Sequence, residues 1–175
     1  KMDKKFLEHV MTSGEAAMRA INQKKFGKTF FHLGPERDIS VFEKVKNNRT
    51  DLHSCDFILC TGLFDDYDDA FANSNASLSY ISTINSTHYQ LAKKSLMSGL
   101  HTIIDKPATI KFSETKELLE IAKQKKLLVT ESTVYLYHPQ FSKMKKIMSD
   151  NNFKPKLVTA HFSFPPMDKS NFRYN

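Results

Sequence analysis

His101-Thr102-Ile103-Ile104-Asp105-Lys106-Pro107 decides the fold. Its apolar and β-branched run reads as a buried strand, and an acidic–basic pair followed by proline closes it. Proline cannot extend a ladder, so the strand ends there, and the Asp105 and Lys106 heads sit where it leaves the sheet. In open α/β sheets, ligands bind in the crevice outside that carboxyl edge. Upstream, Leu78–Thr83 is a second strand whose end, Thr83-Ile84-Asn85-Ser86-Thr87-His88, is also polar. A helix over residues 86–98, with Tyr89, Ala92 and Leu96 inward and Gly99 as its stop, joins the two. Two polar strand ends joined by a helix point to one site.

The same alternation runs outward in both directions. Downstream, Ser113 reads as the N-cap of a helix to Lys125, with Glu114 in its first turn. A strand at 127–131, a helix at 139–149 with Phe141, Met144, Ile147 and Met148 inward, and a strand at 157–164 follow. Upstream, residues 4–22 are helical with a break at Thr12-Ser13-Gly14-Glu15. Strand 28–33 stops at Gly34-Pro35, and strand 55–61 closes at Gly62. Between them, Ile39, Phe42 and Val45 recur on an amphipathic helix over 36–47. Residues 64–77 are acidic, then polar, and read as a solvated loop. Alternating strands and helices predict a three-layer α/β fold, a mainly parallel sheet with helices on both faces.

Composition narrows the function. Of the 175 residues, 26 are Lys or Arg and 19 Asp or Glu, giving a net charge of +7. The lysines are dispersed, with no arginine-rich or aromatic-interleaved stripe, so the surface suits anionic small ligands and not nucleic acid. No run approaches the roughly 18 apolar residues of a membrane span. The Lys-Met-Asp-Lys-Lys start has no apolar leader region, which predicts a cytoplasmic protein with two reduced cysteines. Cys55 and Cys60, an odd spacing apart in a strand, are expected on opposite faces and unbridged. The histidines show no metal-ligand spacing, so no metal is expected.

Residues 78 to about 164 resemble the nucleotide-binding half of the Gfo/Idh/MocA oxidoreductases, the glucose–fructose oxidoreductase and inositol dehydrogenase family. The stretches that carry this are Tyr80-Ile-Ser-Thr-Ile-Asn-Ser-Thr-His88-Tyr, Ser98-Gly-Leu-His-Thr-Ile-Ile-Asp-Lys106-Pro107, Leu127-Leu-Val-Thr-Glu131 and Tyr137-His138-Pro139. The family's Glu-Lys-Pro is Asp105-Lys106-Pro107 here. The resemblance implies a Rossmann-like sheet and an NAD or NADP cofactor. It implies hydride transfer at a sugar or cyclitol hydroxyl, with a small sugar-like substrate. Residue by residue, it implies that Lys106 contacts the nicotinamide ribose and assists proton transfer as the catalytic residue. Thr83, Asn85, His88, Asp105, Pro107 and Glu131 are implied to line the cofactor. Read without the family, Lys106 snorkels to water and Asn85 caps a helix. On the same reading His88 is a first-turn surface residue, and Glu131 caps Ser132 or Thr133. His138 reads as packing.

The family's Gly-x-Gly-x-x-Gly turn is missing. Its nearest counterpart is Leu33-Gly34-Pro35-Glu36-Arg37, where proline and glutamate oppose close approach of a phosphate. Residues 10–69 instead look like part of the cap of a haloacid-dehalogenase-type phosphatase. Thr12-Ser-Gly-Glu-Ala, Phe31-His-Leu-Gly-Pro-Glu-Arg-Asp38 and Cys55-Asp-Phe-Ile-Leu-Cys-Thr-Gly62-Leu carry that likeness, without that family's nucleophile loop. The expected organisation is an α/β segment over 1–72, a Rossmann-like portion over 73–155, and over 156–175 the start of a truncated sheet-rich domain. The aromatic tail Phe162, Phe164, Phe172 and Tyr174 implies an oligomer. Two functions stand at this point. One is an incomplete NAD(P)-dependent oxidoreductase. The other is a non-catalytic α/β binding module or a phosphatase remnant.

Overall fold

The computed structural model describes residues 13–62, 67–157, 159 and 161. It forms two compact units, Lys1–His138 and Pro139–Asn175. The first holds one sheet of five parallel strands in sequence order: β1 (Phe30–Leu33), β2 (Phe57–Cys60), β3 (Leu78–Ile81), β4 (His101–Asp105) and β5 (Val129–Ser132). The ladder aligns Leu33 with Cys60, Cys60 with Ile81, Ile81 with Ile104, and Asp105 with Ser132. All five carboxyl ends therefore share one edge.

Alternation along the strands divides the core in two. On β2, Ile58 and Cys60 face one side, where α2 (Tyr67–Asn73), α3 (Asn85–Met97) and α4 (Phe112–Lys125) cover Ile81 and Ile104. Phe57 and Leu59 face the other side, with Phe30 and Tyr80. There, α1 (Ser13–Asn22) supplies Ala17 and Ile21, and the segment Glu36–Asn48 supplies Phe42 and Val45. Helices thus lie on both faces of a parallel sheet, as the sequence predicts.

The route from β1 to β2 passes from one face of the sheet to the other. After β1 the chain runs along the α1 face through Glu36–Asn48. It then returns along the outer edge of β1, where Arg49 makes a parallel bridge to Phe30. Leu52, in a short 3₁₀ turn (Leu52–Ser54), then packs on the opposite face before β2 begins. The exit from β2 leads to α2 on that opposite face. The connections after β1 and after β2 therefore leave on opposite sides of the sheet and part to open a crevice between these strand ends, with no reversal of strand order.

Several expectations change. Residues 64–77 are not a plain loop: Tyr67, Ala70 and Phe71 are buried on α2, and Asp68 and Asp69 face outward. The segment Glu36–Asn48 is 3₁₀ with a break at Phe42 (φ −108°, ψ 17°), not an α-helix. Its apolar residues recur every three positions, the period of a 3₁₀ helix. Strands 28–33, 55–61 and 78–83 shorten to four residues each. At the start of β1, the Lys28 and Thr29 N–H groups donate to Asp56 Oδ2 (2.6 and 3.0 Å) and so are lost to the ladder. The strand at 127–131 becomes Val129–Ser132. Cys55 precedes β2, so strand parity does not govern it; both thiols are free and buried in the same core. Ser113 is not the N-cap, because α4 already begins at Phe112. Its start is closed by Glu114, which accepts from the Lys111 and Ile110 N–H groups at 3.2 and 3.3 Å.

The second unit contains α5 (Pro139–Asp150), whose described side chains are half-exposed or exposed. The helix expected over residues 4–12 lies outside the described residues. So does most of strand 157–164, whose described Leu157, Thr159 and His161 are not in a ladder.

Candidate functional site at the carboxyl edge

The crevice between the β1 and β2 strand ends begins with two glycines. Gly34 follows β1 and Gly62 follows Thr61 after β2. A Cβ on Gly34 would strike Thr61 Oγ1 and His32 Nε2, and a Cβ on Gly62 would strike the Pro35 ring. Only glycine lets the two strand ends approach this closely. Above them lies a cavity of about 470 Å³ lined by Pro35, Asp38, Thr61, Gly62, Ser82 and Thr83, with Arg37 at its margin. That is within the roughly 300–1,000 Å³ of small-molecule sites. Its lining is rich in hydroxyls, and the Arg37 guanidinium lies 3.7 Å from the Asp38 carboxylate. Beside it, Arg49 grips Glu36 through two hydrogen bonds of 2.8 and 3.2 Å, which hold that carboxyl below its ordinary range.

His32 lies beneath this crevice, 3% exposed. Its Nε2 is 2.8 Å from Thr61 Oγ1, and its Nδ1 is buried without a hydrogen-bond partner. Burial lowers its pKa, and the Arg49 cation lowers it further, against the opposing pull of Glu36 and Asp38.

The ends of β3, β4 and β5 carry the residues singled out from the sequence. Asp105 closes β4. Its Oδ2 accepts from Ser82 Oγ at 3.3 Å and its Oδ1 from the Lys106 N–H at 2.9 Å. His88 is not a surface residue: it is 1% exposed, on the first turn of α3. Its Nδ1 faces the Pro107 carbonyl at 2.8 Å and its Nε2 the Thr83 carbonyl at 3.1 Å. Those two contacts tie the β3 end to the turn after β4. Thr83 Oγ1 pairs with Thr87 Oγ1 at 2.8 Å. Glu131 Oε2 accepts from the Ala108 N–H at 2.8 Å, and its Oε1 from the Thr133 hydroxyl at 3.3 Å. Lys106 is exposed in the bend after β4, and its bond to Pro107 is cis.

Thr83, His88, Asp105, Lys106 and Pro107 are thus brought together along one edge. Asn85 is not the cap of α3; Ile84 holds that position, and Asn85 is exposed as the first helical residue. Glu131 lines a different cavity, of about 460 Å³, beneath α1. There it neighbours Tyr80, whose hydroxyl donates to Ser132 Oγ at 3.3 Å and whose pKa burial pushes up to about 12. His32, Thr61, Gly62 and Ser82 escaped the sequence reading. The signal that pointed to them was a pair of glycines closing successive strands, which reads equally well as two plain strand stops. Among the described residues, no three His, Cys, Asp or Glu side chains group as a metal site. Among them too, no helix is long and apolar enough to cross a membrane.

Comparison with known proteins identifies the family and the fold. The Gfo/Idh/MocA oxidoreductases, with their NAD-binding Rossmann fold, match residues 14–133. That span takes in residues 14–69, most of the stretch whose phrases look like a phosphatase cap. The dTDP-3,4-didehydro-2,6-dideoxy-alpha-D-glucose 3-reductase of Streptomyces violaceoruber is 22% identical over 109 residues, 62% of this chain and 32% of that protein. Human biliverdin reductase A is 26% identical over 108 residues, 61% of this chain and 36% of its own length. Among solved structures, biliverdin reductase from Synechocystis, in complex with biliverdin and NADP+, superposes with a TM-score of 0.58 at 14% identity. It covers 79% of this chain and 40% of its own. The chain therefore spans about a third of the length of these two curated relatives.

Proposed function

Because the chain belongs to the Gfo/Idh/MocA oxidoreductase family, with its NAD-binding Rossmann fold, we propose that its carboxyl edge binds NAD or NADP for hydride transfer at a sugar or cyclitol hydroxyl. The observation that carries this is the hydroxyl-lined crevice at the carboxyl ends of β1, β2 and β3, the side of an open parallel sheet on which ligands bind. The residues present fit such a guest. The bare backbone at Gly34 and Gly62 lets the two strand ends close together beneath the crevice, and Thr61, Ser82 and Thr83 offer hydroxyls to ribose or phosphate oxygens.

When bound, the dinucleotide would carry the hydride, accepting it from the hydroxyl-bearing carbon when oxidised or giving it to the corresponding carbonyl carbon when reduced. The chain supplies position and proton handling. Asp105, held by Ser82 and its own following N–H, fixes the turn from which Lys106 projects. His88 fixes the same turn from the β3 side through the Pro107 carbonyl. Lys106 would be the catalytic residue: its ammonium would donate to the reacting oxygen, and its neutral amine would take the proton of the reacting hydroxyl. We also assign residues 156–175 to the start of a truncated sheet-rich substrate or oligomerisation domain. A cytoplasmic setting suits two free buried thiols. A homo-oligomer is also proposed, from the aromatic residues at 162–174.

Calorimetric titration with NADH and NADPH tests the reading, with Lys106→Ala alongside. Saturable micromolar binding, weakened about tenfold by the substitution, is expected. No binding at millimolar cofactor would leave only the alternative of a non-catalytic binding module.

A further inference from the structure

His32 and Thr61 lie 29 positions apart in the chain and meet only because β1 and β2 pair in register. We propose that His32 is a positioning residue of the crevice: its Nε2–H donates to Thr61 Oγ1 and turns the Thr61 hydroxyl proton outward, to donate to an oxygen of the bound dinucleotide. The proposal rests on the dinucleotide reading for the identity of the acceptor. The direction of the bond stands on geometry alone.

The two nitrogens of the ring are in unequal surroundings. Nε2 has Thr61 Oγ1 at 2.8 Å, while Nδ1 is buried and faces no partner. A neutral imidazole carries one proton. Placed on Nδ1, that proton would be stranded as a buried donor, and the Thr61 hydroxyl would be spent on Nε2. Placed on Nε2, it makes the bond to Thr61, and only a lone pair is stranded on Nδ1. Among backbone groups, orphaned N–H donors are rarer than under-satisfied acceptors, and the second arrangement follows that preference. A hydroxyl that accepts from histidine keeps its own proton to give away. Thr61 lines the crevice, so the direction open to that proton is toward a ligand. The ring is also held in its neutral form, first by burial and then by the Arg49 cation, against Glu36 and Asp38. Gly34 completes the device, since a Cβ at that position would strike both atoms of the pair.

Nitrogen NMR of the histidine-labelled 175-residue chain reads the tautomer directly. A protonated Nε2 and a bare Nδ1 on His32 are expected; a protonated Nδ1 overturns the proposal, and no variant need fold for that outcome. NADPH calorimetry then reads the consequence. His32→Leu and Thr61→Val should each weaken binding about tenfold, and the double variant should lose little more. His32→Gln, whose amide N–H reaches the place of Nε2–H, should stay within about threefold of the parent. Unchanged affinity in His32→Leu overturns the proposal. A parent chain that binds neither NADPH nor NADH overturns the dinucleotide reading instead, and the tautomer still decides which way the bond runs.

Discussion

Gly34 has no room for a methyl group, because the atoms it would meet belong to the His32–Thr61 pair and are held by two strands. Gly34→Ala should therefore destabilise the chain by about 1–3 kcal/mol, the usual cost of overpacking. An unchanged urea midpoint would show that the strand ends give way freely. His32 makes a second prediction at this scale. Its folded pKa lies below the unfolded value of about 6.5, so between those two values the unfolded chain binds more protons. Its contribution to stability is complete above about pH 6.5 and is lost as the pH falls through that window. Urea unfolding between about pH 7.5 and 5.5 should show stability falling, with a shallower slope in His32→Gln. Equal slopes would mean that the ring is no less basic folded than unfolded. Lys106 was legible in the sequence because proline after a charged pair marks a strand end. His32 and Thr61 were not, since no local signal joins residues that only a parallel register brings into contact.

At the level of elements, the strands were readable from apolar runs and the helices from their stops. Gly99 is an example: its φ of +89° closes α3 in a conformation that side chains rarely adopt. Two elements were misread, for different reasons. In Glu36–Asn48 the threefold spacing was visible, but it was assigned to an α-helix, whose period of 3.6 it does not fit as well. In Tyr67–Asn73 the acidic pair masked a short inward stripe of Tyr67, Ala70 and Phe71. Phe71 is fully buried, with its ring 5.8 Å from that of Tyr67. Phe71→Ala should cost about 3–5 kcal/mol. Ala72→Ser, exposed on the same helix, should stay within about 0.5 kcal/mol. Parity between the two in thermal or urea unfolding would mean that α2 is not part of the core. The edge of β4 shows the opposite case, in which site and element were read together, because the Asp105 that ends the strand also braces the turn of Lys106.

Across the molecule, the polar groups gather on one edge of the sheet. The carboxyl ends carry the crevice, the two glycines, Asp105 with Lys106, and the His88 tie. At the amino ends, Asp56 instead binds the Lys28 and Thr29 N–H groups, a contact that fastens β1 to β2 and depresses that carboxyl's pKa. The fold class was legible because alternating strands and helices admit few layouts. The sheet order was not, because nothing in the sequence marks Arg49 as the edge around which the chain turns from one face to the other. The central claim is that the carboxyl edge of the sheet holds a nicotinamide dinucleotide, and amide NMR with NADPH titrated into the labelled chain tests it most directly. The account predicts shifts at Gly34, Thr61, Gly62, Ser82, Thr83 and Lys106, with Gly27, Asp56 and Gly99 unmoved. Shifts confined to those last three residues, or none at millimolar NADPH, would contradict it.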